Sequence, residues 1–355
     1  MIMKILIATD SYKGSLDSQQ VCQAIKEGLL STDENLDIFC LPMADGGEGF
    51  AECIEKICNG NRLYTKCHNI YGCQIDGHII TVGDTAVIES ATASGLLPKK
   101  NVMMASSYGT GELIKYAVSK GYHNIVLGLG GSGCCDGGAG ALEALGTIFL
   151  DENQNEINRI KARDLNQIFG ISFRNIVKDI NFTFACDVTN PMYGKNGAAY
   201  VFAPQKGARK TDVEELDDGL KRLNAFLPTD VGTIEGGGAA GGLCAGLYSV
   251  YGGNIKSGFD IISKMANLDQ LISECDIVVT GEGKTDSQTL MGKLPYRLAK
   301  AAKDKGKRCV IISGQIDNVT IGDKMISLVD DDITADYAIT HPRELLIKKA
   351  KLILQ

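Results

Sequence analysis

The stretch KILIATDSYK, residues 4–13, decides the fold. Lys4–Ala8 is a short apolar run rich in isoleucine, and it ends at the polar residues Thr9–Ser11. Such a run predicts a buried strand with a polar loop at its carboxyl end. Apolar residues at helical spacing follow from Val21 to Leu29. A strand that passes through a polar loop into a helix is the repeating unit of a parallel α/β sheet.

The same order of elements occurs near both ends of the chain. Leu36–Leu41 predicts a second strand, which leads into the loop ADGGEG, residues 44–49, and then into a helix. Asp276–Thr280 and Cys309–Ser313 predict buried strands, with a helix near Lys293–Lys303 between them. Both ends therefore favour one doubly wound sheet.

The middle of the chain is richer in glycine and in short strand-like runs. The predicted strands there are Cys67–Tyr71, Gln74–Val82, Ala86–Glu89, Asn124–Gly128, Thr147–Leu150 and Phe182–Cys186. We therefore predict an α/β protein of two domains. Residues 1–62 and 270–355 would form a Rossmann-like doubly wound domain built from both termini, and residues 63–269 an inserted mixed α/β domain.

Composition excludes several classes of function. The chain has 355 residues, of which 44% are hydrophobic, and its net charge is −7. An acidic chain without basic runs is a poor nucleic-acid binder, and no apolar run approaches the ~20 residues of a membrane helix. Twelve cysteines without a CxxC pair indicate reduced thiols and hence the cytoplasm. We expect a monomer or homodimer that binds small molecules.

Glycine is frequent and clustered. The 42 glycines concentrate in Asp45–Gly49, Gly128–Gly140, Glu235–Gly242 and Gly281–Gly283. Successive N–H groups in such loops bind anions, and a following helix N-terminus adds partial positive charge. The alternative is that these glycines permit tight turns and close packing. Four clusters, each near carboxylates, favour a phosphate site.

Two of these clusters resemble nucleotide motifs that point to other enzymes. Gly128–Gly133 matches G-x-G-x-x-G after a strand, and Asp151 would be the ribose-binding acid of an NAD-dependent oxidoreductase. However, CCDGG, residues 134–138, separates the third glycine from the next predicted helix. Gly283–Thr285 resembles the end of a P-loop, but Val278 occupies the position of its first glycine, which argues against a P-loop kinase.

Carboxylates at the predicted strand ends suit phosphoryl transfer, which needs Mg²⁺, cations near the phosphates and a proton acceptor. These acids are Asp10, Asp45, Asp187, Glu282 and Asp286. Each of them could instead cap a helix. Lysines within glycine- or proline-containing loops are candidates to contact phosphate or carboxylate, and they are Lys13, Lys206, Lys284 and Lys293.

Together these loops resemble the bacterial type-1 glycerate kinase family. The matching motifs are DSYKGSL (10–16), ADGGEG (44–49), SSYGTGEL (106–113), residues 130–140, ACDVTNP (185–191), PQKGA (204–208), residues 236–243 and TGEGKTDSQTLMG (280–292). They follow the family's order over roughly residues 3 to 354. The chain departs from the family at Gly133–Cys135, where Ala-Thr-Asn is common, and at Thr9 and Tyr296.

The resemblance implies ATP- and Mg²⁺-dependent phosphorylation of D-glycerate to 2-phosphoglycerate, with 3-phosphoglycerate as the alternative product, in a cleft between two α/β domains. The expected catalytic residues are Asp45, Asp187, Lys13 and Asp10. The expected substrate and phosphate ligands are Ser11, Lys206, Gly46, Gly47, Gly130, Gly131, Ser132, Asp136, Gly237, Gly238 and Lys284. Magnesium would be held by Asp187, Glu282 or Asp286. A non-catalytic sugar-acid sensor is the remaining alternative.

Overall fold

The computed structural model describes residues 2–43 and 49–355, and it is an α/β protein. The chain packs as two compact units. Unit 1 comprises Met1–Ala44 and Phe259–Gln355, and unit 2 comprises Asp45–Gly258. Unit 1 thus joins the two ends of the chain, and unit 2 is continuous in sequence.

The regular elements alternate along most of the chain. The strands are β1 (Lys4–Thr9), β2 (Asp37–Pro42), β3 (Asn61–His68), β4 (Gln74–Val82), β5 (Thr85–Glu89), β6 (Asn124–Gly128), β7 (Ile148–Leu150), β8 (Gly170–Ser172), β9 (Asn181–Ala185), β10 (Asn254–Lys256), β11 (Ile277–Thr280), β12 (Lys284–Thr285), β13 (Arg308–Ser313), β14 (Gln315–Ile316) and β15 (Lys324–Ser327). The helices are α1 (Ser18–Leu30), α2 (Phe50–Ile57), α3 (Ser90–Ser94), α4 (Tyr108–Ser119), α5 (Ala139–Ala144), α6 (Ala198–Phe202), α7 (Lys210–Phe226), α8 (Leu243–Tyr251), α9 (Gly258–Met265), α10 (Leu268–Glu274), α11 (Leu294–Asp304), α12 (Ala335–Thr340) and α13 (Pro342–Ala350).

Unit 1 contains a five-stranded parallel sheet in the order β15-β13-β11-β1-β2. If the five strands are numbered in chain order, the sheet has the doubly wound order 2-1-3-4-5. The order in which strands are added reverses between β1 and β11, because β2 lies on one side of β1 and the later strands lie on the other. The strands β1, β11 and β13 are largely buried and rich in isoleucine and valine, and the sheet packs against α1 and α13. The predicted strands at both ends of the chain are confirmed in this sheet.

The carboxyl ends of β1 and β11 meet at that reversal point, where ligands of such sheets bind. The backbone is very close there: a Cβ added to Gly281 would lie 1.6 Å from the carbonyl oxygen of Ile312, so only glycine fits. Tyr12, which is buried, donates its hydroxyl to the same carbonyl at 2.6 Å. Burial raises the pKa of the Tyr12 phenol far above its ordinary value, and the group therefore acts as a neutral donor.

Unit 2 contains a six-stranded mixed sheet in the order β10-β9-β6-β5-β4-β3. The four strands from β10 to β5 are parallel, and β4 and β3 continue the sheet antiparallel. In register, Glu89, Gly128, Ala185 and Lys256 end the four parallel strands at one edge. The loops that leave these positions carry most of the predicted site residues of the unit.

Three sequence expectations differ from the structure. A strand over Cys67–Tyr71 is wrong, because Asn69 Oδ1 accepts hydrogen bonds from the amides of Tyr71 and Cys73 and thereby forms a turn. Helix α4 was not predicted. Unit 2 also begins earlier than the predicted domain limit of 62/63, since α2 packs on β4 and β5.

No helix within residues 2–43 and 49–355 is long and apolar enough to cross a membrane.

Candidate active site

The loop after β1 lies directly beside the loop after β11 in unit 1. The amide of Asp10 donates to the carbonyl oxygen of Gly281 at 3.1 Å, and a Cβ on Gly283 would lie 3.4 Å from the amide nitrogen of Lys13. Asp10 Oδ1 accepts a hydrogen bond from the amide of Ser11 at 2.6 Å. The structure therefore brings the predicted residues Asp10, Ser11 and Lys13 to one edge of the sheet, and the Lys13 side chain is exposed there.

Glu282 lies at the same edge but is almost buried, at 8% exposure. Its Oε1 accepts a hydrogen bond from Thr289 Oγ1 at 2.5 Å, and its Oε2 lies 3.6 Å from Lys293 Nζ. Both carboxylate oxygens are therefore engaged by protein groups. This arrangement does not fit the predicted role of Glu282 as a magnesium ligand.

Lys284 and Asp286 follow on the short strand β12 and the turn after it. Lys284 Nζ forms an ion pair of 2.8 Å with Asp317, and both side chains are largely exposed. An exposed ion pair of this kind contributes little to stability. It nevertheless pairs the Lys284 ammonium, which was predicted to bind phosphate, with a carboxylate of the protein. Asp286 Oδ1 accepts a hydrogen bond from the amide of Gln288 at 2.9 Å. Asp286 is half-buried, so its carboxylate remains accessible to a ligand.

Lys206 is the most unusual charged group of unit 2. Its residue is only 4% exposed, and its ammonium donates to Ser132 Oγ at 3.0 Å and to the Cys134 carbonyl oxygen at 2.8 Å. Among residues 2–43 and 49–355, no carboxylate lies within 4 Å of it. A buried ammonium costs several kcal/mol unless a negative charge compensates it. A third N–H group is available to an anion, which makes this lysine the strongest candidate for an anion-binding residue.

The loop after β6 supplies exposed amides next to Lys206. The backbone N–H groups of Gly130 and Gly131 have no protein acceptor in the part of the chain that the structure describes, and Gly131 adopts a φ of 68° that favours glycine. Ser132 holds the lysine through its hydroxyl. These two amides and the Lys206 ammonium, which Ser132 of the same loop holds, are donors that suit a phosphate or a carboxylate.

Asp136 is held by hydrogen bonds within the polypeptide. It is fully buried, and its Oδ2 accepts hydrogen bonds from the amide and the hydroxyl of Ser107 at 2.7 and 2.8 Å and from the amide of Gly140 at 3.2 Å. Burial raises the pKa of the Asp136 carboxyl, and these hydrogen bonds oppose the rise. This residue therefore connects the start of α4 to the start of α5.

The glycines after residue 235 serve close packing. The amide of Gly237 donates to the Ile234 carbonyl oxygen at 3.0 Å, and the amide of Gly238 donates to Asn190 at 2.9 Å. A Cβ on Gly241 would lie 2.1 Å from the carbonyl oxygen of Cys134. These amides are used within the protein, and we leave Gly237 and Gly238 out of the site that we propose.

Asp187 follows β9 and is exposed at the edge where Gly128 and Ala185 pair. Its two carboxylate oxygens lie 3.3 and 3.2 Å from the amide nitrogen of Gly258. A backbone donor thus holds an accessible carboxylate at the end of a parallel strand. Magnesium in phosphotransferases is usually held by one or two carboxylates together with substrate phosphates, and Asp187 fits that requirement.

Part of the predicted site cannot be placed. Asp45, Gly46 and Gly47 lie outside the described residues. Within residues 2–43 and 49–355, no group of three or more His, Cys, Asp or Glu side chains could hold a metal ion. Glu282 lies in unit 1 and Asp187 in unit 2.

Sequence reasoning missed Glu89, which ends β5 at the same edge as Gly128. Its Oε1 accepts a hydrogen bond from the amide of Ala51 at 2.8 Å, in the first turn of α2. The left-handed N-cap of this helix, Gly49, provides no side-chain cap, so Glu89 stabilises the helix start. The signal was present, since Glu89 is an acid at the carboxyl end of a predicted strand.

The two motifs that resembled other nucleotide sites have different structures. Helix α5 begins at Ala139, well after the third glycine of Gly128–Gly133, so the pyrophosphate-binding turn of a dinucleotide fold is not formed. Lys284 and Thr285 form the strand β12 rather than opening a helix, as a P-loop would.

The chain is similar to proteins of one family over almost its whole length. The model of the glycerate kinase family matches residues 5–355. Glycerate 2-kinase from Escherichia coli (strain K12) is 39% identical over 327 residues, which cover 88% of this chain and 86% of that protein. Glycerate kinase from Bacillus subtilis (strain 168) is 34% identical, with 98% and 96% covered. A crystal structure named for glycerate kinase 2 from Salmonella typhimurium LT2 superposes with a TM-score of 0.87 at 36% identity, with 99% and 97% covered, which confirms the predicted fold class.

Proposed function

The chain belongs to the glycerate kinase family and is a kinase, and from this premise we propose that it transfers the γ-phosphoryl group of ATP to the 2-hydroxyl of D-glycerate. The product would be 2-phosphoglycerate, and transfer to the 3-hydroxyl is the alternative. Both substrates are anions, whereas the chain carries a net charge of −7. Binding must therefore depend on a few local donors rather than on the overall field.

The buried ammonium of Lys206 is the observation that carries this proposal. Its two acceptors among the described residues, the Ser132 hydroxyl and the Cys134 carbonyl oxygen, are neutral, so an anionic ligand would compensate its charge. A carboxylate or phosphoryl group at this point would also accept hydrogen bonds from the amides of Gly130 and Gly131. We propose that Lys206 binds either the glycerate carboxylate or the transferring phosphoryl group.

The residues after β1 would serve the acceptor end of the reaction. Asp10 could take the proton of the glycerate hydroxyl, a role for which Asp45 is the alternative. Ser11 holds Asp10 through its amide, and a nearby ammonium, that of Lys13, could contact an anionic group of the substrate. These assignments agree with the position of the loop at the reversal point of the sheet.

Mg²⁺ would be held by Asp187 or by Asp286, and when bound with ATP it would neutralise charge on the phosphate oxygens. Asp187 is exposed and Asp286 is half-buried, whereas Glu282 is only 8% exposed and contacts Thr289 and Lys293. The cytoplasm is the compartment that we propose, because all twelve cysteines are free thiols.

Phosphorus NMR of the reaction products tests the proposal. The purified protein is incubated with ATP, Mg²⁺ and D-glycerate, with L-glycerate in a parallel reaction. A phosphorus signal coupled to a single C–H proton would identify the 2-phosphate, whereas coupling to the two protons of a CH₂ group would identify the 3-phosphate. Consumption of neither ATP nor glycerate would refute the proposed function.

A further inference from the structure

Glu282 is the centre of a buried hydrogen-bond network in unit 1. Thr289 Oγ1 lies 2.5 Å and Thr285 Oγ1 lies 3.5 Å from Glu282 Oε1, and Lys293 Nζ lies 3.6 Å from Oε2. An ionised carboxylate only accepts hydrogen bonds, so the two hydroxyls and the ammonium all donate toward it. A buried carboxylate that is satisfied in this way has no need of a metal ion.

The neighbouring contacts are consistent with both hydroxyls donating to Glu282. Thr289 Oγ1 accepts a hydrogen bond from the amide of Asp286 at 3.1 Å, which leaves its proton for Glu282. Thr285 Oγ1 lies 2.8 Å from Ser313 Oγ, so it can accept there and donate to Glu282. The network therefore ties the segment after β12 to the carboxyl ends of β11 and β13, and its protons point toward one carboxylate.

Lys293 belongs to this network through its contact with Glu282, but the contact does not occupy all the N–H donors of its ammonium. Its side chain is 43% exposed, and 3.6 Å is longer than the ~2.7–2.9 Å of a full charge-assisted hydrogen bond. The residue is the N-cap of α11, where the helix dipole disfavours a positive charge. Among the described residues, Glu282 is the ion-pair partner of this ammonium, which retains N–H donors for a second, anionic partner.

We propose that Glu282 is a positioning residue that directs Lys293 toward a phosphate group of the nucleotide, and that it does not bind magnesium. The inference rests on the proposed use of ATP and deepens it, because it assigns a phosphate-binding cation and the carboxylate that aims it. Lys293 then replaces Lys284, whose ammonium is paired with Asp317. Thr289 keeps the Glu282 carboxylate in place for this task.

A double-mutant cycle on nucleotide binding tests this inference. The variants are Glu282→Gln, Lys293→Met and the double variant, with Lys300→Met on the exposed side of α11 as control. Binding of the non-hydrolysable analogue AMP-PNP is measured by calorimetry, once in Mg²⁺ and once in EDTA. Lys293→Met should weaken binding about tenfold or more, since it removes a hydrogen bond from a charged donor.

Glu282→Gln should weaken binding in both media by a similar factor, and the double variant should bind no more weakly than Lys293→Met alone. If Glu282 instead bound the metal, Glu282→Gln would lose affinity for AMP-PNP only in Mg²⁺, and this loss would add to the loss caused by Lys293→Met. That result would overturn the inference. Should Glu282→Gln fail to fold, Thr289→Val is compared with Thr289→Ser, and only the valine variant should lose affinity in EDTA. Activity of the unmodified enzyme on ATP and D-glycerate is checked separately, because its absence would refute the proposed function instead.

Discussion

Replacing Lys206 with methionine should lower the activity of the protein without lowering its stability. Methionine has nearly the length of the lysine stem and no charge. It removes the donor to the proposed anionic ligand, and a hydrogen bond to a charged group contributes about 1.5–3 kcal/mol. We therefore expect kcat/KM for D-glycerate and ATP to fall by about 10- to 150-fold.

The same substitution should leave the stability of the ligand-free protein unchanged or should raise it. The variant loses the hydrogen bond to the Cys134 carbonyl oxygen, and an unsatisfied buried acceptor costs about 1–3 kcal/mol. Within residues 2–43 and 49–355 no carboxylate pairs with the Lys206 ammonium, and the variant avoids the cost of burying this charge, which is several kcal/mol. These two terms nearly cancel or favour methionine, so the ligand-free protein should unfold at the same temperature or higher.

Calorimetric unfolding without ligand and steady-state kinetics measure the two effects, with the exposed Lys210→Met as the matched control. The thermal stabilisation that inorganic phosphate gives the parent protein should be lost in Lys206→Met and kept in Lys210→Met. A methionine variant that unfolds more easily but keeps its kcat/KM would refute the reasoning, because the lysine would then be structural.

Three further substitutions test separate parts of the structure. Asp187→Asn should lower kcat by about 10² and raise the Mg²⁺ concentration needed for half-maximal activity, and an unchanged Mg²⁺ titration would remove this residue from the metal site. Asp136→Asn should lower the free energy of unfolding by about 1–3 kcal/mol in urea titrations, because Oδ1 accepts from the amide of Gly138 and Oδ2 accepts from Ser107 and Gly140, so an NH₂ group in place of either oxygen would face a donor; wild-type stability would contradict this hydrogen-bond network. Burial raises the pKa of Tyr251 to about 12, so between pH ~10 and about 12 the folded state keeps a proton that the unfolded state releases. The contribution of the Tyr251 hydroxyl to the free energy of unfolding is therefore complete below pH ~10 and is lost as the pH rises to about 12. Tyr251→Phe should lose less stability over this interval than the parent protein.

The sequence predicts the strands of unit 1 well because their signal is local. Lys4–Thr9 and Arg308–Ser313 are apolar runs that end in polar loops, and both lie inside a parallel sheet. The acids at the strand ends were found for the same reason, since parallel strands bring their carboxyl ends to one edge. Glu89 follows the same rule, because it ends β5 at the edge where Gly128 ends β6.

What the sequence could not predict depends on partners distant in the chain. Lys206 and Ser132 are both visible as loop residues, but only the folded chain shows that one buries its charge against the other. Glu282 had the position of a metal ligand, and its contacts with Thr289 and Lys293 gave it another environment. Gly237 and Gly238 lie in a glycine-rich segment that resembles a phosphate loop in composition. Their amides, however, donate hydrogen bonds to backbone carbonyl oxygens.

The pairing of β1 with β11 also has a consequence for biosynthesis. Ile5 pairs with Ile277, so the central strand made early in translation must wait for a neighbour made much later. Unit 2 lies wholly between them in the chain, and it can fold while the ribosome is still at work. The nascent protein thus carries an isoleucine-rich strand that can pair with β2 but has one open edge for most of its synthesis, and such an edge is a natural binding segment for chaperones.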